Sequence, residues 1–439
     1  MFARPITQKS TYKSMNMTIH PIMGGNRQGL WVIGLAVLLL GATACADLSS
    51  RPPIPDAVVI DPPASEAGST VMTGAEQTER YFHLLSGKRV AFAGNHTSVI
   101  HGVHMVDTLI AAGKNLVKVF SPEHGFRGTA AAGELVESGI DHRSGLPVVS
   151  LYGRNRRPTP EQLADVDVVV FDIQDVGVRF YTYISTMTFI MQAAARENIP
   201  VIILDRPNPL GHYVDGPMLQ AEHASFVGLH PVPVVHGMTV GEYAMMANGE
   251  GWLGPSLVCD LTVIPVANYT HNTRYELPVP PSPNLPNMTS VYLYPSLCFF
   301  EGTDVSLGRG TPKPFQIFGH PDLNKQAFPY RFIPESLPAA PNPPQLGMAC
   351  QGMDLSTIPG EILMEKDQIN LSYLLEAYRH FPNKPNFFNS FFENLSGTSL
   401  LRNQILAGLS EEQIRASWQE ELRSFRKLRS NYLLYPDFE

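Results

Sequence analysis

The stretch Val166-Asp-Val-Val-Val-Phe-Asp-Ile173 is apolar at every position except Asp167 and Asp172. A continuous, β-branched run of this length reads as a strand buried on both faces, which needs a covering layer above and another below. The surrounding chain supplies them in turn. Residues 89–94 read as a strand, and Val103, Val106, Leu109 and Ile110 share one helical face that stops at Gly113. Residues 116–120 and 147–152 are further strands, and Thr159-Pro-Glu-Gln-Leu163 opens a helix with a threonine N-cap and proline at its first position. A helix follows at 183–197, a buried strand at 201–204, and a capping box, Thr239 with Glu242, opens a helix reaching Met246. Strand and helix in alternation predict an α/β fold built on a doubly wound parallel sheet.

Each strand is followed by polar or ionisable residues. Asn95-His96-Thr97-Ser98 leaves the first, Glu123-His124-Gly125 the second and Gly153-Arg154 the third; Asp172, Gln174, Asp175 and Arg179 follow the fourth, and Asp205-Arg206-Pro207-Asn208 the fifth. In open parallel sheets the carboxyl ends of the strands form the ligand edge. Turn and cap chemistry accounts for Asn, Asp, Ser and Gly in such places. It does not call for Glu123, His124, Arg179 or Arg206. Further on, residues 278–287 form a proline-rich loop, and Leu307-Gly-Arg-Gly-Thr311 combines close backbone approach with a bidentate donor for a carboxylate. A tight turn carrying a solvated arginine is the competing reading of Arg309. Gly249-Glu-Gly-Trp-Leu-Gly254 fits GxGxxG but follows a helix and precedes the strand-like 257–263, the wrong order for a dinucleotide site.

With a net charge of −8 and no basic stripe, the chain has no footprint for nucleic acid. Arg4, Lys9, Lys13 and Arg27 precede an apolar run at 30–40 that is too short to span a bilayer and ends in Gly-Ala-Thr-Ala-Cys45. This reads as a signal peptide whose lipobox-like end would place a lipid on Cys45. Cleavage after Ala44 or Ala46 without lipidation is the alternative, and Met23 is a second possible start. The expected organisation is a signal peptide at 1–45, a Pro/Ser-rich tether at 46–70, a catalytic domain at 71–265 and a smaller domain at 266–439. Cys259, Cys298 and Cys350 fit no zinc spacing and read as buried apolar side chains. Ile414, Trp418, Leu422, Phe425 and Leu428 behind a Ser410 capping box form the packing face of a last helix.

Six blocks carry a family resemblance: Ser121-Pro-Glu-His-Gly-Phe-Arg-Gly128, residues 171–183, Leu204-Asp-Arg-Pro-Asn-Pro-Leu-Gly211, His236-Gly-Met-Thr-Val-Gly-Glu242, Pro281-Ser-Pro-Asn284 and Phe300-Glu-Gly-Thr303. Together the chain from about residue 89 onward resembles the NamZ-type exo-β-N-acetylmuramidases. The resemblance implies a Rossmann-like doubly wound parallel sheet with a smaller C-terminal α/β domain and a cleft between them. It also implies release of terminal N-acetylmuramic acid from the non-reducing end of peptidoglycan fragments, with Glu123 in the catalytic block.

Glycoside hydrolysis ordinarily takes two carboxyl groups. Glu123 is the expected acid; Asp175 or Asp172 is the expected partner, with Glu134 and Glu301 open. His124 and His96 could orient a carboxylate, assist proton transfer or hold sugar hydroxyls. The lactyl carboxylate of muramic acid calls for a cation, which leaves Arg127, Arg179, Arg206 or Arg309. Asn208, Asn284 and Glu301 complete the expected substrate contacts. No metal or cofactor is expected. Two competing readings stand: a metal-dependent hydrolase using His96, Glu123, His124, Asp172, Asp175 and Asp205, and a lipid-anchored wall-binding protein without catalysis. The expected location is the cell envelope, as a periplasm-facing lipoprotein or a soluble periplasmic protein.

Overall fold

The computed structural model describes residues 57–60, 70–123, 125–127 and 138–439. The signal segment with Cys45, most of the tether, His124 and Glu134 lie outside them.

The largest sheet has eight strands: β1 (Val58–Val59), β2 (Val90–Gly94), β3 (Leu116–Ser121), β4 (Gly139–Ile140), β5 (Pro147–Ser150), β6 (Val168–Asp172), β7 (Val201–Leu204) and β8 (Leu261–Ile264). Their order is β1-β8-β7-β6-β2-β3-β5-β4, parallel throughout except where β4 meets β5. From β2 the chain steps outward through β3 to β5, then returns to β6 on the other side and continues to β7 and β8. That is the doubly wound order, and its reversal falls between β2 and β6.

Side-chain parity divides the sheet's two faces. Val168 and Val170 of β6 join Val90, Phe92, Val119, Ile202 and Leu204 in one cluster with Met105, Val106 and Leu109 of α1 (Met105–Ala111). Val169 and Phe171 join the opposite cluster, with Ile184, Met187 and Met191 of α3 (Tyr183–Arg196) and Tyr243 and Ala247 of α4 (Val240–Gly249). Burial on both faces is what makes β6 apolar at every position before Asp172. α2 (Pro160–Leu163) begins with the expected threonine N-cap, Thr159, which also forms a capping box with Gln162, and α4 begins with the expected capping box of Thr239 with Glu242.

After β8 come the proline-rich loop and α5 (Met288–Leu297), capped by Asn287 and Ser290. A small antiparallel sheet follows, with β9 (Ile317–His320) and β10 (Tyr330–Phe332) flanking β11 (Cys350–Asp354). α6 (Glu411–Arg429) buries Ile414, Trp418, Leu422 and Phe425. These residues join the same hydrophobic cluster as Val169 and Phe171, so the later part of the chain packs directly on the α3–α4 layer. Cys259, Cys298 and Cys350 are buried, unpaired thiols. Among the described residues no helix is long and apolar enough to cross a membrane.

Candidate active site

Outside the reversal point between β2 and β6, the protein fills the crevice with its own groups. Ser98 Oγ donates to the Asp172 carbonyl, Thr97 N donates to Asn95 Oδ1 at 2.9 Å, and Gln174 N donates to Thr97 Oγ1 at 3.0 Å. The open cleft, about 550 Å³, lies beside that plug. Its wall takes Glu123 from the exit of β3, Tyr152 and Arg156 from the exit of β5, and Thr182 and Tyr183 from the start of α3. Ser282 and Asn284 come from the proline-rich loop, and Glu301, Arg309 and Phe315 from beyond α5.

Local chemistry places Glu123. β3 ends where Pro122 offers no N–H to continue the ladder. Gly125 then takes φ 75°, a left-handed conformation favouring glycine, so the chain turns away just after the glutamate. Around the carboxylate stand hydroxyls from two other segments. Thr182 Oγ1 donates to Glu123 Oε2 at 3.4 Å, and the Tyr152 hydroxyl hydrogen-bonds to the same side chain. Burial, then the Glu123 charge, pushes the Tyr152 phenol up to about 12, and the same two causes in the same order raise Tyr183.

The second carboxylate in the cleft is Glu301, on the 3₁₀ turn Cys298–Gly302. Arg309 binds it as an ion pair and rests on the Phe315 ring 5.2 Å away. Asn284 is 4 % exposed, and its Nδ2, shielded from solvent, has no hydrogen-bond partner among the described residues.

Several residues expected in the site lie elsewhere. Asp172 is fully buried, and its carboxylate is gripped by Arg206 Nε at 2.5 Å and Nη2 at 3.0 Å. Neither member of that pair reaches the cleft. Arg179 donates to the carbonyls of Pro217, Val232 and Leu395 at 2.7–2.8 Å, fastening three segments together instead of meeting a substrate. Arg127 pairs with Asp141. Asn208 braces the turn at Gly177, whose added Cβ would lie 2.2 Å from the Asn208 Oδ1, and it donates to the Met238 carbonyl at 2.9 Å. His96 Nε2 donates to the Pro280 carbonyl at 2.9 Å, holding the loop that carries Asn284.

Asp175 also leaves the cleft. It is buried and accepts the Gly177 N–H at 2.7 Å; burial pushes its carboxyl up to about 7, above the ordinary 3.8. The folded state therefore binds a proton that the unfolded chain has already released, so the contribution favours folding at low pH and fades as pH climbs from about 4 to 7. Asp175→Asn should remove it. The expected result is that the variant's unfolding midpoint rises relative to wild type across that window and levels off above it, read by thermal melts at each pH; parallel profiles would refute the assignment.

Of the metal-dependent alternative, Asp205 is engaged by Thr239 Oγ1 at 2.8 Å, Gly241 N at 2.7 Å and Tyr435 Oη at 2.5 Å. With Asp172 held by Arg206, no three His, Cys, Asp or Glu side chains among the described residues converge on a metal position. The sequence reading passed over Tyr152, Arg156, Thr182, Tyr183 and Phe226. Tyr152 and Arg156 flank the Gly153-Arg154 exit it did mark, whereas nothing near Phe226 in the sequence points to a ligand.

Residues 90–289 match the family Exo-beta-N-acetylmuramidase NamZ, N-terminal, and residues 292–435 match its C-terminal counterpart. The chain is 39% identical over 372 residues to Peptidoglycan beta-N-acetylmuramidase NamZ of Bacillus subtilis (strain 168), covering 81% of this chain and 89% of that protein. Two crystal structures of DUF1343 family proteins from Bacteroides fragilis NCTC 9343 are similar. One has TM-score 0.78 and 49% identity over 84% of this chain and all of that one; the other has TM-score 0.72 and 30% identity over 83% and 99%. With the two family matches following one another along residues 90–435 and the Bacillus relative aligned along most of its length, the chain belongs to the NamZ exo-β-N-acetylmuramidase family.

Proposed function

We infer that this protein is an exo-acting glycosidase that removes terminal N-acetylmuramic acid from the non-reducing end of peptidoglycan fragments. The observation that carries the reading is a ligand-sized cleft lined by two carboxylates, Glu123 and Glu301, in a chain whose Bacillus relative is a peptidoglycan β-N-acetylmuramidase. Glycoside cleavage needs one group to protonate the leaving oxygen and a second to act as nucleophile or as base for water. Glu123, oriented by Thr182 and Tyr152, suits the first task. Glu301, fixed by Arg309, replaces Asp172 and Asp175 as its partner. Asn284, on the proline-rich loop, lines the same cleft and suits a contact with the sugar.

The test is to offer the purified protein a chromogenic β-N-acetylmuramide and the matching β-N-acetylglucosaminide. Release from the muramide alone is expected, and equal cleavage of both would count against the reading. Binding of muropeptides without turnover would instead favour the wall-binding alternative.

A role in cell-wall turnover or recycling, and anchoring at Cys45 in a periplasm-facing membrane leaflet, belong to the same proposal. The support for the anchor is the basic segment, the apolar run and the small residues before Cys45. The mass of the mature N-terminus would distinguish a lipidated cysteine from plain cleavage.

A further inference from the structure

We infer that Arg156, on the loop leaving β5, is the cation that recognises the lactyl carboxylate and so separates muramic acid from glucosamine; this deepens the glycosidase reading and rests on it. The four arginines suggested by sequence do not meet the need. Arg127, Arg179 and Arg206 are engaged away from the cleft, and Arg309 stands in it with its charge offset by Glu301.

Arg156 lines the cleft, and among the described residues no carboxylate forms an ion pair with it. Its guanidinium lies over the Phe226 ring at 4.4 Å. Phe226 is itself stacked on Phe189 at 5.9 Å with 28° between the planes, and Arg157 covers Phe189 at 4.8 Å. The result is a ladder, Arg156–Phe226–Phe189–Arg157, rooted in α3 through Phe189 and through the hydrogen bond from Arg157 to Gln192.

A guanidinium held by a cation–π contact keeps N–H donors to offer, and its planar fork is the group that grips a carboxylate in bidentate fashion. Asn155 Nδ2, bonded to the Ser150 carbonyl at 3.3 Å, ties the same loop to the end of β5. The arginine is thus held in position before a ligand arrives, which limits the side-chain entropy lost on binding. A lactyl carboxylate is the one anionic group that distinguishes N-acetylmuramic acid from N-acetylglucosamine.

The experiment compares wild type, Arg156→Met and Arg156→Lys on a chromogenic β-N-acetylmuramide bearing the free lactyl acid and on its lactyl methyl ester. Wild type should prefer the acid. In Arg156→Met the acid-over-ester ratio of kcat/KM should fall ~10- to 100-fold, the size of a lost charge-assisted hydrogen bond, mainly through KM for the acid. Arg156→Lys should keep part of the preference, because the charge survives and the planar fork does not. If Arg156→Met loses equally on both substrates, or keeps the wild-type ratio, the inference is overturned while the glycosidase reading stands. Wild type that cleaves neither compound overturns both.

Discussion

Glu123→Gln is expected to lower kcat on the chromogenic muramide by about 10²- to 10⁴-fold, the usual contribution of a positioned acid or base. Glutamine preserves the volume at the end of β3 and an oxygen that can accept from Thr182, so the cleft keeps its shape. What it lacks is a transferable proton. The unfolding midpoint should stay near that of wild type, because the side chain stands at the cleft wall rather than in either core cluster. A second readout follows from Tyr152. Part of what holds its phenol near 12 is the Glu123 charge, so in the variant a spectroscopic titration should find that phenol lower, although burial still keeps it above the ordinary 10. Unchanged kcat with a shifted tyrosine would show that the charge was removed and was not needed, and would end the assignment of Glu123 as the acid.

How much of this was legible beforehand depends on which physical signal each residue sends. The strands at β6 and β7 announce themselves because a strand covered on both faces has to be apolar at consecutive positions, and β3 departs from that only at Lys118 and its closing Ser121. The caps at Thr159, Thr239 and Ser410 are equally plain, since a hydroxyl with Gln or Glu three residues later has a local reason to be there. Glu123 could be placed at the ligand edge by the same route. Asp172 and Arg206 were among the residues that misled, because a buried ion pair and a catalytic carboxylate look alike at a strand exit.

Parity does not separate them. Asp172 is in step with Val168 and Val170, and Glu123 is in step with Val119, all on the α1 face of the sheet. Arg179 carried no local clue either. Its three carbonyl partners lie 38 to 216 residues away, so only the folded chain brings them together. Glu301 stayed one of several open candidates and Arg156 went unmarked for the same reason: each matters through what the fold sets beside it, Arg309 in one case and Phe226 in the other.

Asp172→Asn should therefore do the reverse of the Glu123 change, destabilising the protein while sparing the chemistry. Arg206 is 3 % exposed, and the substitution would leave its guanidinium buried without a counter-charge. Breaking a buried pair from one side costs about 3–5 kcal/mol, whereas replacing both members with well-packed apolar residues is often neutral or favourable. The variant should accordingly unfold at distinctly lower denaturant, and Asp172→Leu combined with Arg206→Met should recover much of the loss. In protein that remains folded, kcat should stay within a few-fold of wild type, since Asp172 reaches the cleft neither directly nor through Arg206. A stable Asp172→Asn protein with kcat reduced a hundredfold or more would return this carboxylate to the reaction and displace Glu301 as the partner of Glu123.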